Sequence, residues 1–140
     1  MYILDTDHIT ILQRGGKLAD KLRDKLASIN PQQVFTTIIP YEEQTRGWLS
    51  YIAKQSSLNG QITAYKELEK HLNYYRYIPL IDYNEPSALK FQELRKIYRK
   101  IGSMDLKIAS IAITHKALLL TRNLKDFGQI SELNAEDWTI

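Results

Sequence analysis

Cysteine is absent from the chain. That excludes disulfides, thiolate nucleophiles and zinc–thiolate sites, and it is compatible with a reducing compartment. Also missing is any apolar run approaching the length of a membrane span. Acids at Asp5 and Asp7 break the pattern of a signal peptide. The expectation is therefore a cytoplasmic protein with no membrane association. Strong net charge is lacking too: the balance is +3, with a pI near 9.0. So mild an excess permits a polyanionic partner without demonstrating one. No repeat, linker or low-complexity tract interrupts the 140 residues, a length that predicts one domain, 1–140, able to bury a real core.

What is present alternates between apolar runs and helical patterns. Strands are predicted at Tyr2–Leu4, Val34–Thr37, Ile78–Asp82 and Ala117–Thr121. Helices are predicted at Asp7–Gln13 with Thr6 as N-cap, and at Leu18–Ser28. Pro40 starts another to Lys54, and "QSSLNG" (Gln55–Gly60) reads as a turn before Gln61–Tyr75. Pro86 opens a helix to Lys100, and Ser103 caps one running to His115. The stretch Ile130–Ile140 reads as irregular or a short edge strand. Strands separated by helices predict an α/β fold with a mostly parallel sheet. Runs such as "YIL" and "ALLLT" suit strands buried on both faces.

In such sheets ligands gather outside the carboxyl ends of the strands. Asp5 follows the first strand directly. Glu42 and Glu43 lie just past the second. Asn123 and Asp126 follow the last clean strand, and Asp105 lies in the first turn of the helix before it. On a helical wheel Asp105 falls within about 100° of Leu106, Ile108, Ala109, Ala112 and Ile113, with Lys107, Ser110 and Thr114 opposite. A carboxylate on an apolar stripe is costly unless something compensates it. The helix N-terminus offsets part of the cost and a bound cation the rest; a simple capping role is the alternative. The wheel treats the glutamates differently. Trp48, Leu49, Ile52 and Ala53 define the apolar side, Glu43 lies nearly opposite, and Glu42 can pair with Arg46 at i+4. Periodicity alone thus leaves both in solvent.

Oxygen donors without thiolates suit a hard cation, Mg²⁺ or Mn²⁺. Such an ion draws the phosphate groups that the acids alone would repel, and metal-assisted phosphodiester hydrolysis is the reaction class that follows. It needs no histidine pair. Of the three histidines, His8 is a candidate support beside Asp5, His71 reads as solvated, and His115 ends a helix.

Four pieces, "YILDTD", "YEEQTRGW", "MDLKIASIAI" and "LLLTRNLKDF", stand in the order and spacing of a PIN domain. The chain closely resembles the VapC-like toxins of bacterial toxin–antitoxin pairs over essentially its full length, including the closing "EDW". The resemblance implies a three-layer α/β/α fold with a central, mostly parallel sheet. It implies magnesium-dependent RNA cleavage, homodimerisation and inhibition by a cognate antitoxin. It assigns the acidic positions to Asp5, to Glu43 rather than Glu42, and to Asp105. The fourth falls on Asn123, where many members carry aspartate. An amide oxygen can still ligate there, and Asp126, one turn on, can supply the missing charge. Thr6 and Thr121 become candidate rim hydroxyls.

RNA must be held beyond the metal. Arg95, Lys96, Arg99 and Lys100 form a dense basic run before Gly102, and Lys107, Arg122 and Lys125 flank the acids in sequence. Tyr74, Tyr75 and Tyr77 are candidate stacking platforms. The Trp48–Ile52 stripe and "LNYYRYI" suit a dimer or antitoxin contact, the latter expected from the family as a helix laid in a groove. Two alternatives share the fold: an RNA-processing nuclease without an antitoxin, and a weakened domain that only binds RNA or a protein.

Overall fold

Tyr2–Leu4 (β1) is the middle strand of a five-stranded sheet, and its two neighbours come from distant parts of the chain. Val34–Thr37 (β2) pairs with it on one side, Tyr2 opposite Val34, and Leu118–Leu120 (β4) on the other, Tyr2 opposite Leu118. Leu80–Ile81 (β3) and Asn134–Glu136 (β5) form the edges, in the order β3-β2-β1-β4-β5. All pairings are parallel, so the carboxyl ends of the strands share one rim. The computed structural model describes residues 1–140.

Alternation along the strands sorts the core into two faces. Ile3, Phe35 and Leu119 point to one side and pack with Leu94 of α5 (Glu85–Ile97), Leu106 and Ile111 of α6 (Ser103–Thr114) and Phe127 of α7 (Leu124–Phe127). Leu4, Val34 and Leu120 point to the other. They meet Ile9 of α1 (Thr6–Arg14), Leu26 of α2 (Lys17–Ala27) and Tyr75 of α4 (Leu58–Tyr75). α3 (Ile38–Ala53) touches both faces, through Ile39 and Tyr41. The result is a three-layer α/β/α sandwich. Each fully buried Ile, Leu or Phe contributes about 1.5–3 kcal/mol through area removed from water.

Several boundaries differ from the sequence expectation, each for a local reason. Asp5, not Thr6, is the N-cap of α1, accepting from the Thr6 N–H at 2.7 Å. Thr37 caps α3 through the Ile39 N–H, which puts Pro40 in the first turn but not at its start. Ser57 caps α4 through the Gly60 N–H, so half of the expected turn is helix. Asn84 caps α5 through the Ser87 N–H, and that helix stops at Ile97, short of Lys100. Gly102, without a side-chain cap, precedes α6; Ser103 is inside the helix. The third strand shrinks to two residues because Pro79 and exposed Leu80 lie at a sheet edge. A 3-10 turn at Pro31–Gln33 and the short α7 carried no periodic signal.

Candidate active site

The chain moves outward from β1 to β2 and β3, then returns to the other side of β1 to lay down β4. That reversal opens the crevice between β1 and β4 where α/β sheets hold ligands. Asp5 stands at its base, its N–H donating to Leu120 O at 2.9 Å. The Asp5 side chain is 5% exposed. One oxygen caps α1 and the other accepts from Thr121 Oγ1 at 2.8 Å. Burial, reinforced by the neighbouring Asp7 carboxylate, pushes the Asp5 pKa up to about 7.

Glu43 reaches the same rim from the second turn of α3. Its Oε1 accepts from Thr6 Oγ1 at 3.1 Å. Burial raises its pKa, and the Asp105 charge adds to the effect. This reverses the wheel. The Trp48, Leu49, Ile52 and Ala53 side is partly or fully exposed, with Leu49 54% accessible. The apolar side is therefore not the core side, and Glu43 faces inward. Glu42 is held outside by Arg46 at 2.6 Å.

Asp105 lies in the first turn of α6, half-buried. It makes no capping bond to the backbone; its Oδ2 accepts from Asn123 Nδ2 at 3.4 Å. Burial, then the charges of Asp126 and Asp7, raise its pKa. Ser110 and Lys107 depart from the expected wet side. Ser110 is wholly buried, its hydroxyl turned back to Leu106 O at 2.6 Å. Lys107 lies 5.9 Å from the Tyr83 ring and 5.7 Å from the Phe91 ring.

Asn123 and Asp126 form a reciprocal pair at the start of α7. The Asp126 N–H donates to Asn123 Oδ1 at 3.3 Å, which fixes the amide orientation, and Asn123 Nδ2 donates to Asp126 Oδ2 at 3.1 Å. The amide thus presents its donors to the two acids, while its oxygen, the expected ligand atom, accepts one bond from the Asp126 N–H and keeps a second lone pair. Asp7 is the rim residue that the motif reading passed over. Its Oδ2 accepts from the Arg122 N–H at 2.9 Å, and its charge raises the pKa values of Asp5, Glu43 and Asp105. The only signal for it was its place two residues after Asp5.

One histidine meets a different acid of the rim, and a second departs from its expected exposure. His8 is fully buried and bonds to Asp7, not Asp5. His71 is buried rather than solvated, stacked on Tyr41 at 5.1 Å with Nε2 2.7 Å from Thr45 Oγ1. Tyr75 is interior, its hydroxyl donating to Gln44 Oε1, whereas Tyr77 is 82% exposed.

The acids converge without closing into a cage: no group of three or more acidic or histidine side chains is close enough to grip one ion directly. Mg²⁺ commonly retains several waters and takes one or two carboxylates, so an open, oxygen-only cluster fits it. Burial first, and repulsion among the carboxylates second, raise the pKa values of Asp5, Glu43 and Asp105, and a bound cation would offset both.

Residues 2–133 match the PIN domain family, and the chain belongs to it. Ribonuclease VapC1 of Haemophilus influenzae is 27% identical over 144 residues, spanning 99% of this chain and 98% of the relative. The structure of VapBC-1 from nontypeable Haemophilus influenzae superposes with a TM-score of 0.69 at 27% identity, covering 99% and 98% of the two chains. VapBC2 from Rickettsia felis, solved bound to a DNA fragment from their promoter, gives 0.70 at 26% identity and covers 98% of each. PIN-domain ribonucleases are metal-dependent in general. No helix of this chain is long and apolar enough to cross a membrane.

Proposed function

We propose that this chain, 1–140 acting as one domain, is the toxin of a type II toxin–antitoxin pair, a Mg²⁺-dependent endoribonuclease of the cytoplasm in which Mn²⁺ can substitute. The observation that carries the reading is the approach of Asp5, Glu43 and Asp105, from three separate elements, to one rim of a PIN-domain sheet. The relatives named for ribonuclease activity and for VapBC complexes support it.

Asp5, Glu43 and Asp105 would hold the ion in part through its retained waters rather than as a closed direct cage, and Asp126 would add the fourth charge. Once bound, the cation supplies Lewis-acid polarisation of the phosphodiester and neutralises the carboxylates. Asp5, locked by Thr6 and Thr121, orients the site. Glu43, half-buried and held by Thr6, would orient the attacking water beside the ion and accept its proton. Asn123 bridges Asp105 and Asp126 by donating to both, which offsets their repulsion.

RNA would lie along the exposed Arg95, Lys96, Arg99 and Lys100, with Arg122 at the rim. The antitoxin would use the groove of about 740 Å³ between α1, α3 and α4, whose lining includes Leu12, Trp48, Tyr51 and Tyr74. The protein would act as a homodimer, as expected for the family.

Purified protein should cleave RNA with Mg²⁺ and stop on chelation, and Asp105→Asn should be inert. Full activity in both Asp5→Asn and Asp105→Asn would rule the reading out. Expression should arrest growth, and co-expression of a small protein encoded beside it should relieve the arrest. Relief by no such protein would leave an RNA-processing nuclease. Asn123 in place of an acid favours one further reading, a PIN domain that binds RNA without cutting it. Binding without cleavage in Mg²⁺ and Mn²⁺ would select that reading.

A further inference from the structure

His8 lies wholly inside the protein, directly behind the acidic rim. Its two ring nitrogens meet opposite partners. Nε2 stands 3.3 Å from the backbone nitrogen of Trp138, whose N–H can only donate. Nε2 must therefore accept, and in the neutral ring the proton resides on Nδ1. Nδ1 then donates to Asp7 Oδ1 at 2.7 Å. The one competing acceptor near Nε2 is Asp137 Oδ1, at 3.9 Å. It is beyond hydrogen-bond reach and already accepts from Thr139 N–H at 2.8 Å and Thr139 Oγ1 at 2.6 Å.

Asp7 passes the constraint on. Its other oxygen accepts from the Arg122 N–H at 2.9 Å and stands 3.3 Å from Thr121 Oγ1. That hydroxyl has one proton, and the shorter contact, 2.8 Å to Asp5 Oδ2, claims it. Thr121 Oγ1 in turn accepts from the Asn123 N–H at 3.0 Å. The loop between β4 and α7 is therefore pinned to the start of α1 through Asp7. From that loop Thr121 reaches Asp5 and Asn123 reaches Asp105. The segment that fixes the imidazole is itself held: the Trp138 ring lies 5.2 Å from that of Tyr2, and its Nε1 donates to Glu136 at 2.7 Å.

We propose that His8 is a positioning residue of the acidic site: a neutral imidazole, its proton fixed on Nδ1 by the Trp138 backbone, clamps Asp7 to the Thr121–Asn123 loop and so holds Asp5 and Asp105 in register with each other. The effect on cleavage rests on the nuclease reading above; the brace itself does not. Supports of this kind, one bond removed from the groups that do the chemistry, orient them without touching substrate.

The test uses the full chain. Long-range ¹⁵N–¹H spectra at neutral pH should show His8 protonated at Nδ1 and bare at Nε2; protonation at Nε2, or averaging between tautomers, overturns the proposal. His8→Asn places an amide donor where Nδ1 stood, whereas His8→Phe fills the space without one. His8→Phe should lower kcat on RNA by about 10–100-fold with KM nearly unchanged, and should speed hydrogen exchange at the Arg122 amide. His8→Asn should restore most of both. Equal kcat and equal Arg122 exchange in two folded variants overturn the proposal. Should His8→Phe fail to fold, the tautomer of the unaltered chain decides. Should the unaltered chain cleave no RNA with any divalent ion, the nuclease reading fails, while the tautomer and the exchange rate still decide the brace.

Discussion

Thr121 Oγ1 donates to Asp5 Oδ2 across 2.8 Å, joining residues 116 positions apart. One hydroxyl thus connects the end of the central strand to the end of its neighbour, and the least solvated acid of the site depends on it. Four predictions follow from this acid and its surroundings.

The first concerns pH. The pKa of Asp5 is raised from 3.8 to about 7, so between those values the folded protein keeps a proton that the unfolded chain releases. Stability therefore falls as pH rises through that window, by an amount on the order of a few kcal/mol. Glu43 and Asp105, also raised, act in the same direction. Without divalent ions the thermal midpoint should be lower at pH 8 than at pH 5. Adding Mg²⁺ should raise it far more at pH 8, with proton release detectable by calorimetry in buffers of different ionisation enthalpy. A midpoint that climbs from pH 5 to 8 in chelator contradicts this.

Removing the charge separates function from stability. Asp5→Asn keeps the side chain's shape and abolishes a buried carboxylate that lacks a cation. Cleavage should drop by on the order of 100-fold or more, since even supporting residues around metal ligands cost 10–100-fold. In chelator at pH 8 the same variant should melt at a higher temperature than the parent. Paired melting curves and RNA end-mapping check both halves.

Asn123→Asp exchanges two donated hydrogen bonds for a further negative charge beside Asp105 and Asp126. In the absence of metal the repulsion should lower the thermal midpoint. In Mn²⁺ or Mg²⁺ the variant should bind the ion more tightly, read by titration calorimetry. Weaker metal binding together with a higher metal-free midpoint would show that the amide does not offset the repulsion between the acids.

The basic residues divide by their surroundings. Arg95 and Lys96 at the end of α5, and Arg99 just beyond it, are exposed. Replacing one with alanine should flatten the slope of log binding constant against log salt by roughly 0.7 on single-stranded RNA. Lys107 is different, because it sits over Tyr83 and Phe91. Lys107→Ala should lower stability by about 0.5–1 kcal/mol and leave the salt slope almost unchanged. Denaturant melts and filter binding distinguish the two behaviours.

The strands were legible because a strand buried on both faces is a plain apolar run, as Tyr2–Leu4 and Leu118–Leu120 are. Asp5 and Asp105 were legible because acids at a strand end or on an apolar stripe break the pattern around them. Glu43 was legible only through the motif resemblance, not through periodicity. The periodicity of α3 is set by Trp48, Leu49 and Ile52, which line an outer surface, so the wheel pointed the wrong way. His71 was misjudged for a related reason: flanking charges suggested solvent, but its ring lies against Tyr41 and Tyr75. Asp7 and His8 act through partners at Arg122 and Trp138, and local spacing carries no trace of contacts that distant.

The placement of β1 between β2 and β4 has a kinetic consequence. Its first partner begins at residue 34 and its second at residue 118, so half of its hydrogen-bonding capacity waits for a strand made long after the first. Thr121, which secures Asp5, has its own N–H tied to Glu136 O. A chain still emerging from the ribosome has its early carboxylates but not the late segments that lock them.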